Sequence, residues 1–369
     1  MKLWPFLARP AVAGLGGAAL ARAGTARPAV PPAVPDAPMP RPEEILAVPT
    51  ALREALLRQV GDGGTKAMRL ERLVGFLFGV DGLDMRYTSD ATSTVGEAYR
   101  TRQANCLTFT LLTVALAREL GLVAYGQEIE EVLSWYQEDG IVYRGNHVNA
   151  GVRIGARRFT VDVASTSVIV RHPPEAVDDA QLLAQFYNNR AVELNAQGRR
   201  EAAATAMALS LRLAPAYPVS RSNAGVLALG RGDAAAAEHD YLAALGMDPD
   251  FAPALFNLVS LYQRSGEHSR AEPYRKRLDR VQRRDPFHHF LAAEEHERRG
   301  EYAQAAARYR KAIRLHDSEP LFHAALARVH LHLGDSRLAG RALRRARQLE
   351  GDRSRATYQA RLDLSERPQ

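Results

Sequence analysis

Between residues 146 and 164 the chain alternates apolar and polar positions in two short runs. In the first, Val148, Ala150, Val152 and Ile154 fall on one face and His147, Asn149, Gly151 and Arg153 on the other; in the second, Phe159, Val161 and Val163 alternate with Thr160 and Asp162. A period of two predicts strands, and Gly155-Ala156 between them suits a two-residue hairpin turn. That turn pairs Ile154 with Arg157 and Asn149 with Asp162. A slip of two residues would set His147 directly opposite Asp162. In either register the His147 and Asp162 side chains share a face, because an even shift does not flip the pleat. Residues 106–120 carry a different pattern. Leu107, Leu111, Val114, Ala115 and Leu120, extended by Phe109, Leu112 and Leu116, predict a helix buried on nearly all sides. Asn105 is a favourable N-cap for it, and Gly121 before a Leu-Val-Ala-Tyr run marks its stop. Upstream, Glu44–Val60 and Ala67–Gly79 have helical periodicity, interrupted at Gly61-Asp62-Gly63-Gly64.

This pattern places chemistry. Cys106, the only cysteine of the chain, falls in the first turn of its helix, where unpaired backbone N–H groups and the positive end of the helix dipole favour a thiolate, the reactive form. Histidine and aspartate then follow on consecutive strands, in the order a thiol nucleophile needs for a base and an orienting carboxylate. Taken singly, each has a plainer reading. A lone cysteine is commonly a small buried hydrophobe, and a strand histidine or aspartate is commonly a solvated group. The conjunction favours a descended catalytic site.

The run from Thr94 to Thr110 around Cys106 is joined by Ala117-Arg-Glu-Leu-Gly121, Gln127-Glu128, Trp135, His147-Val-Asn149 and Val161-Asp162. Together they resemble the transglutaminase-like superfamily, in particular bacterial members fused to tetratricopeptide repeats. The resemblance covers roughly residues 90–165. It implies an α+β papain-like core with Cys106 as nucleophile, His147 as base, Asp162 as orienting carboxylate and no cofactor. Gln103 and the Cys106 backbone N–H are the candidate oxyanion donors.

The second half of the chain repeats itself. Gly198, Gly232, Gly266, Gly300 and Gly334 are spaced by 34 residues, and five residues after each stands Ala203, Ala237, Ala271, Ala305 or Ala339. Over about residues 184–353 this resembles the tetratricopeptide family: the glycine turns the chain between helix A and helix B, and the alanine lets the two backbones approach. Ala191, Gly225, Ala293 and Ala327 mark a second close-packing position, while Met207, Tyr241, Tyr309 and Leu343 fill space between units. Pro215 and Pro249 close the first two units. The third is irregular, with Pro273 in the first turn of its second helix and Arg275 in place of the aromatic. Five units followed by a capping helix near Ala356–Leu364 would stack into an all-α solenoid with a groove for a protein or peptide.

Composition narrows the rest. The chain has 369 residues and a net charge of +7, enough for two domains. Arginine clusters at Arg275-Lys276-Arg277 through Arg283-Arg284 and at Arg341 through Arg347 are interleaved with Leu278, Val281, Leu343 and Leu349. They read as solvated faces of amphipathic helices, and no nucleic-acid-binding motif accompanies them. His288, His289, His323, His330 and His332 lack carboxylate or thiolate companions at ligand spacing, so no metal site is expected. Residues 1–23, with Lys2, an apolar run and Ala21-Arg22-Ala23, read as a secretory signal, which implies a periplasmic or secreted protein. No later segment is long and apolar enough to span a membrane. A proline-rich linker covers 24–43.

The resulting expectation is a transglutaminase-like domain over 44–175, a hinge near 171–183 containing His172-Pro173-Pro174, five repeats over 184–353 and a cap and tail over 354–369. Its function would be acyl transfer through Cys106 on peptides or amides, by hydrolysis or transamidation, with the array recruiting a protein partner. The alternative is a non-catalytic repeat scaffold whose cysteine domain is degenerate.

Overall fold

The computed structural model describes residues 39–88, 92–129, 135–138, 141–144, 147–162 and 174–365; for residue 129, 135–138, 141–144, 147 and 352–365 the backbone alone is described. The segment 1–23 expected to direct export, residues 24–38 of the proline-rich linker and residues 171–173 of the expected hinge, with His172 and Pro173, lie outside the described residues.

Three helices open the first body: α1 (Pro42–Ile45), α2 (Thr50–Gln59) and α3 (Lys66–Phe78). Thr65 starts α3 by accepting a hydrogen bond from the Met68 amide. Strand β1 (Arg86–Tyr87) pairs in parallel with β2 (Gln103–Ala104), and between them α4 (Val95–Thr101) begins with a Thr94–Glu97 capping box. Helix α5 (Cys106–Glu119) follows, and every residue from Leu107 through Ala117 is buried, as an apolar surface with no polar stripe requires.

Beside α5 lies a four-stranded antiparallel sheet in the order β7-β6-β3-β8, made of β3 (Val123–Ile129), β6 (His147–Ile154), β7 (Arg157–Val161) and β8 (Glu175–Val177). Of the two registers open to the hairpin, the chain takes the one set by a two-residue turn, with Ile154 opposite Arg157 and Ala150 opposite Val161. A second hairpin, β4 (Trp135–Glu138) with β5 (Ile141–Arg144), lies between β3 and β6 in the sequence.

The helical half consists of five pairs: α6 (Asp179–Ala196) with α7 (Arg200–Leu213), α8 (Pro218–Gly230) with α9 (Ala234–Met247), α10 (Ala252–Arg264) with α11 (His268–Arg284), α12 (Pro286–Arg298) with α13 (Tyr302–Leu315), and α14 (Pro320–His332) with α15 (Ser336–Ser365). The five turn glycines all have left-handed backbone, with φ between 75° and 84°, which is why no other residue serves well there. The five alanines that follow are each buried. Gly225 is needed for packing rather than turning: a Cβ there would lie 2.6 Å from the Tyr241 ring. Met207, Tyr241 and Tyr309 are buried, but Tyr241 packs on Gly225 and Tyr309 on Phe290, each in the A helix of its own pair rather than in the space between units, and Leu343 is 40% exposed. Pro273 falls in the second turn of α11, where it interrupts one helical hydrogen bond without ending the helix. The last B helix continues without a break through residue 365, so in place of a separate capping helix there is one long α15. No proline or left-handed glycine interrupts it.

The two halves share a core. Ile45, Leu52, Leu70 and Leu111, together with Val148, Ala150 and Val152 of the sheet, belong to one apolar cluster with Leu182, Phe186 and Tyr187 of α6. The Tyr187 hydroxyl donates to the Pro40 carbonyl at 2.6 Å. Packing is therefore continuous from the first body into the first repeat.

Candidate functional site

Helix α5 positions Cys106 at its first residue, partly buried against the core. Its N-cap is doubly engaged: the Asn105 Oδ1 accepts from the Thr108 amide at 2.8 Å, and its Nδ2 donates to the Thr92 hydroxyl at 2.9 Å. The Thr108 hydroxyl in turn accepts from the Ser93 amide at 2.9 Å. The first turn is thus fixed on two sides, with its unpaired amides at the cysteine end.

One turn further on, the Thr110 hydroxyl lies 2.8 Å from the Cys106 carbonyl and 3.1 Å from the Val148 carbonyl. It ties the cysteine turn of α5 to β6 between His147 and Asn149. His147 is the first residue of β6 and stands opposite Ile129 on β3; its imidazole is outside the described side chains. Asp162 follows the last residue of β7 and accepts a hydrogen bond from Asn149 Nδ2 at 3.1 Å. His147 precedes Asn149, the partner of this carboxylate, by two positions on β6.

That face is polar. Gln127 pairs with Asn149 across β3 and β6, and the Thr160 hydroxyl donates to the Gln127 Oε1 at 3.2 Å. Gln127 and Asn149 are both buried. Gln103, one of the two oxyanion candidates, sits in β2 opposite Arg86 and is exposed.

A second polar group joins the sheet to the array. Glu128 accepts from Gln181 Nε2 at 2.9 Å, from Gln185 Nε2 at 3.1 Å and from the Tyr217 hydroxyl at 3.3 Å. An open cleft of about 450 Å³ lies there, lined by Glu128, Asp178, Gln181, Leu213, Pro215 and Tyr217 among others.

On the A helices, Asn223 of α8 donates to Asn188 of α6 at 2.9 Å, and Asn257 is buried at the position of α10 one repeat after Asn223. Strand β5 lies against α8 and α10. Two histidines of the array, His289 and His323, one repeat apart, each reach back through Nε2 to a backbone carbonyl, of Arg283 at 3.1 Å and of Asp317 at 2.9 Å. Among the described residues no group of three His, Cys, Asp or Glu is placed to hold a metal ion, and no helix is long and apolar enough to cross a membrane.

Sequence reasoning missed Thr92 and Glu193. The Thr92 amide donates to Glu193 Oε1 at 2.9 Å across 101 residues of chain, and no local pattern signals such a contact. Burial raises the Glu193 carboxyl above its ordinary value, partly offset by Arg190 and by hydrogen bonds from Thr92.

No known family profile matches the chain, and no curated protein matches it. Among solved structures it is similar to MamA from Desulfovibrio magneticus RS-1, at 17% identity and a TM-score of 0.26, over 46% of this chain and 96% of that one. It is also similar to a human IFIT1 dimer with m7Gppp-AAAA, at 16% identity and a TM-score of 0.27, over 46% of this chain and 48% of that one. Likenesses of this size carry no argument about function. The tetratricopeptide-like character of residues 179–365 rests on the array's own geometry: five helix pairs, a 34-residue period and a left-handed glycine in every turn within a pair.

Proposed function

We propose that this chain is a protein-binding scaffold whose tetratricopeptide-like array takes an extended segment of a partner protein on its A-helix face. The observation that carries this reading is that β5, an extended strand of the same chain, lies against two A helices, α8 and α10. A face that seats one extended strand has the shape to seat another. Asn188, Asn223 and Asn257 place buried carboxamides along α6, α8 and α10, with Asn223 donating to Asn188, so this face is lined by polar groups of the kind that pair with backbone. Selection of a displayed random-peptide library on the purified chain tests the reading. Sequences should be enriched on the wild type and not on the Asn223→Leu/Asn257→Leu variant, provided the variant melts as the wild type does. No enrichment, or the same sequences on both, would remove it.

A second reading, cysteine acyl transfer, is favoured by the Asn149–Asp162 hydrogen bond, which fits the hairpin register that sets His147 and Asp162 on one face. On this reading the first body is transglutaminase-like. The Cys106 thiol gives its proton to His147 and the thiolate adds to an amide carbonyl. The leaving amine then takes the proton from His147, and water or a second amine releases the acyl group from the thioester, while Asp162 holds the imidazole in orientation. Pre-steady-state release of nitrophenol from p-nitrophenyl acetate tests it. A burst stoichiometric with protein and absent from Cys106→Ser and His147→Ala supports the reading; no burst from the wild type ends it. The segment 1–23 supports export to the periplasm or beyond, which cell fractionation with and without that segment would check.

A further inference from the structure

Glu193 is buried in α6, the first helix of the array, with 6% of its surface exposed, and nothing in the scaffold reading or the acyl-transfer reading uses it. A carboxylate removed from water to this extent is costly unless its oxygens are paired. Here Oε1 takes the Thr92 amide at 2.9 Å and Oε2 takes Arg190 Nη1 at 3.0 Å. Thr92 is itself buried and holds Asn105 through its hydroxyl. Asn105 caps the helix that begins with Cys106. A continuous series of hydrogen bonds therefore runs from the first repeat to the cysteine: Arg190, Glu193, Thr92, Asn105, and then the first turn of α5. Ser93, the neighbour of Thr92, is fixed to the same turn through Thr108.

We propose that Glu193 is a positioning residue that sets the head of the Cys106 helix, and hence the reactivity of the thiol, from within the repeat array. The proposal rests on reading Cys106 as a reactive thiol. Its physical basis is that the field at a helix head depends on where the first-turn amides point, and the cap decides where they point. Arg190 and Glu193 lie on the same helix as Asn188, which receives Asn223 of the next repeat.

The experiment uses the full chain, in which Cys106 is the only thiol. Iodoacetamide alkylation is followed from pH 6 to 9 for the wild type, Glu193→Gln, Thr92→Val and Glu238→Gln, each native and in guanidinium chloride. Glu238 is the control because it is held by Arg270 and Tyr262 within the array and has no link to α5. Glu193→Gln and Thr92→Val should slow native alkylation at pH 6 by about fivefold, the scale of losing a cap, with Glu238→Gln unchanged and all four chains alike when unfolded. Native rates at the wild-type value in both Glu193→Gln and Thr92→Val would overturn the proposal. Native wild-type alkylation at pH 6 no faster than that of the unfolded chain would instead overturn the reading of Cys106 on which it rests, and the proposal with it.

Discussion

Asn149 donates to Asp162 across the β6–β7 hairpin at 3.1 Å, and its side-chain oxygen Oδ1 is buried with no hydrogen-bond partner among the described residues. The carboxamide is thus held by one strong contact, to a carboxylate, at a site with almost no water. Replacing it with alanine should cost about 1–3 kcal/mol, the range for stripping a buried hydrogen-bonded group of its partner. Asn149→Asp should cost more, since it sets two carboxylates against each other in the same space. Urea unfolding of both variants checks this. Wild-type stability in both variants would show that the Asn149–Asp162 contact contributes nothing.

Packing within a repeat, between α8 and α9, gives a sharper contrast. A methyl group at Gly225 meets the Tyr241 ring and the Ala237 carbonyl, whereas one at Gly230, at the end of the same helix, meets nothing within 4 Å. Gly225→Ala should therefore destabilise by about 1–3 kcal/mol through overpacking. Gly230→Ala should be neutral or stabilising by about 0.5 kcal/mol, because alanine has less freedom to lose on folding. A pair of thermal melts decides it.

Acid should weaken the array through its histidines. Burial is the first cause that lowers the pKa of His288, His289 and His330 below 6.5, with nearby arginines adding to it and, for His288, the ring of His289. A histidine whose folded pKa is depressed stabilises the fold above its unfolded pKa and loses that contribution as pH falls through the folded value. Glu294 on α12 has the opposite sign, since burial raises its pKa. The comparison is therefore made between variants. The drop in melting temperature from pH 7.5 to pH 5 should be smaller in the His288→Gln/His289→Gln/His330→Gln chain than in the wild type. An equal or larger drop would mean that other groups carry the acid sensitivity.

The shared core makes a prediction about truncation. Phe186 and Tyr187 of α6 are buried in the same cluster as Leu52, Leu111 and Val148. A chain ending at residue 183 leaves their place empty and should aggregate or melt without cooperativity, while one ending after Ala214, which retains α6 and α7, should melt as a unit. Differential scanning calorimetry of the two fragments distinguishes these outcomes.

Much of this was legible because the signals are local. A glycine every 34 residues reads as a turn whatever lies around it, and all five adopt the left-handed backbone. Gly155-Ala156 set the register of the strands they join, so the Ile154–Arg157 pairing could be read from the turn alone. Asn105 caps α5 through an atom three residues from its partner. What could not be read lies far apart in sequence. The Glu193–Thr92 bond joins positions whose neighbourhoods carry no mutual pattern, and the seating of β5 on α8 and α10 depends on how the two halves meet rather than on any period. The long α15 is a different case: the repeat length and Gly351 suggest an end near residue 353, but Gly351 has no positive φ and the helix runs through it.

The claim that the A-helix face takes extended segments is tested most directly with the chain's own strand. Residues 133–146 are replaced by a short Gly-Ser linker, and a fluorescein-labelled peptide of the sequence 133–146 is titrated against this variant and against the intact chain by fluorescence anisotropy. Saturable binding to the variant, at least about tenfold tighter than to the intact chain, is the expected result, since in the intact chain the tethered strand competes for the same face at high effective concentration. A folded variant that does not bind the peptide, or that binds it no better than the intact chain does, would contradict the claim.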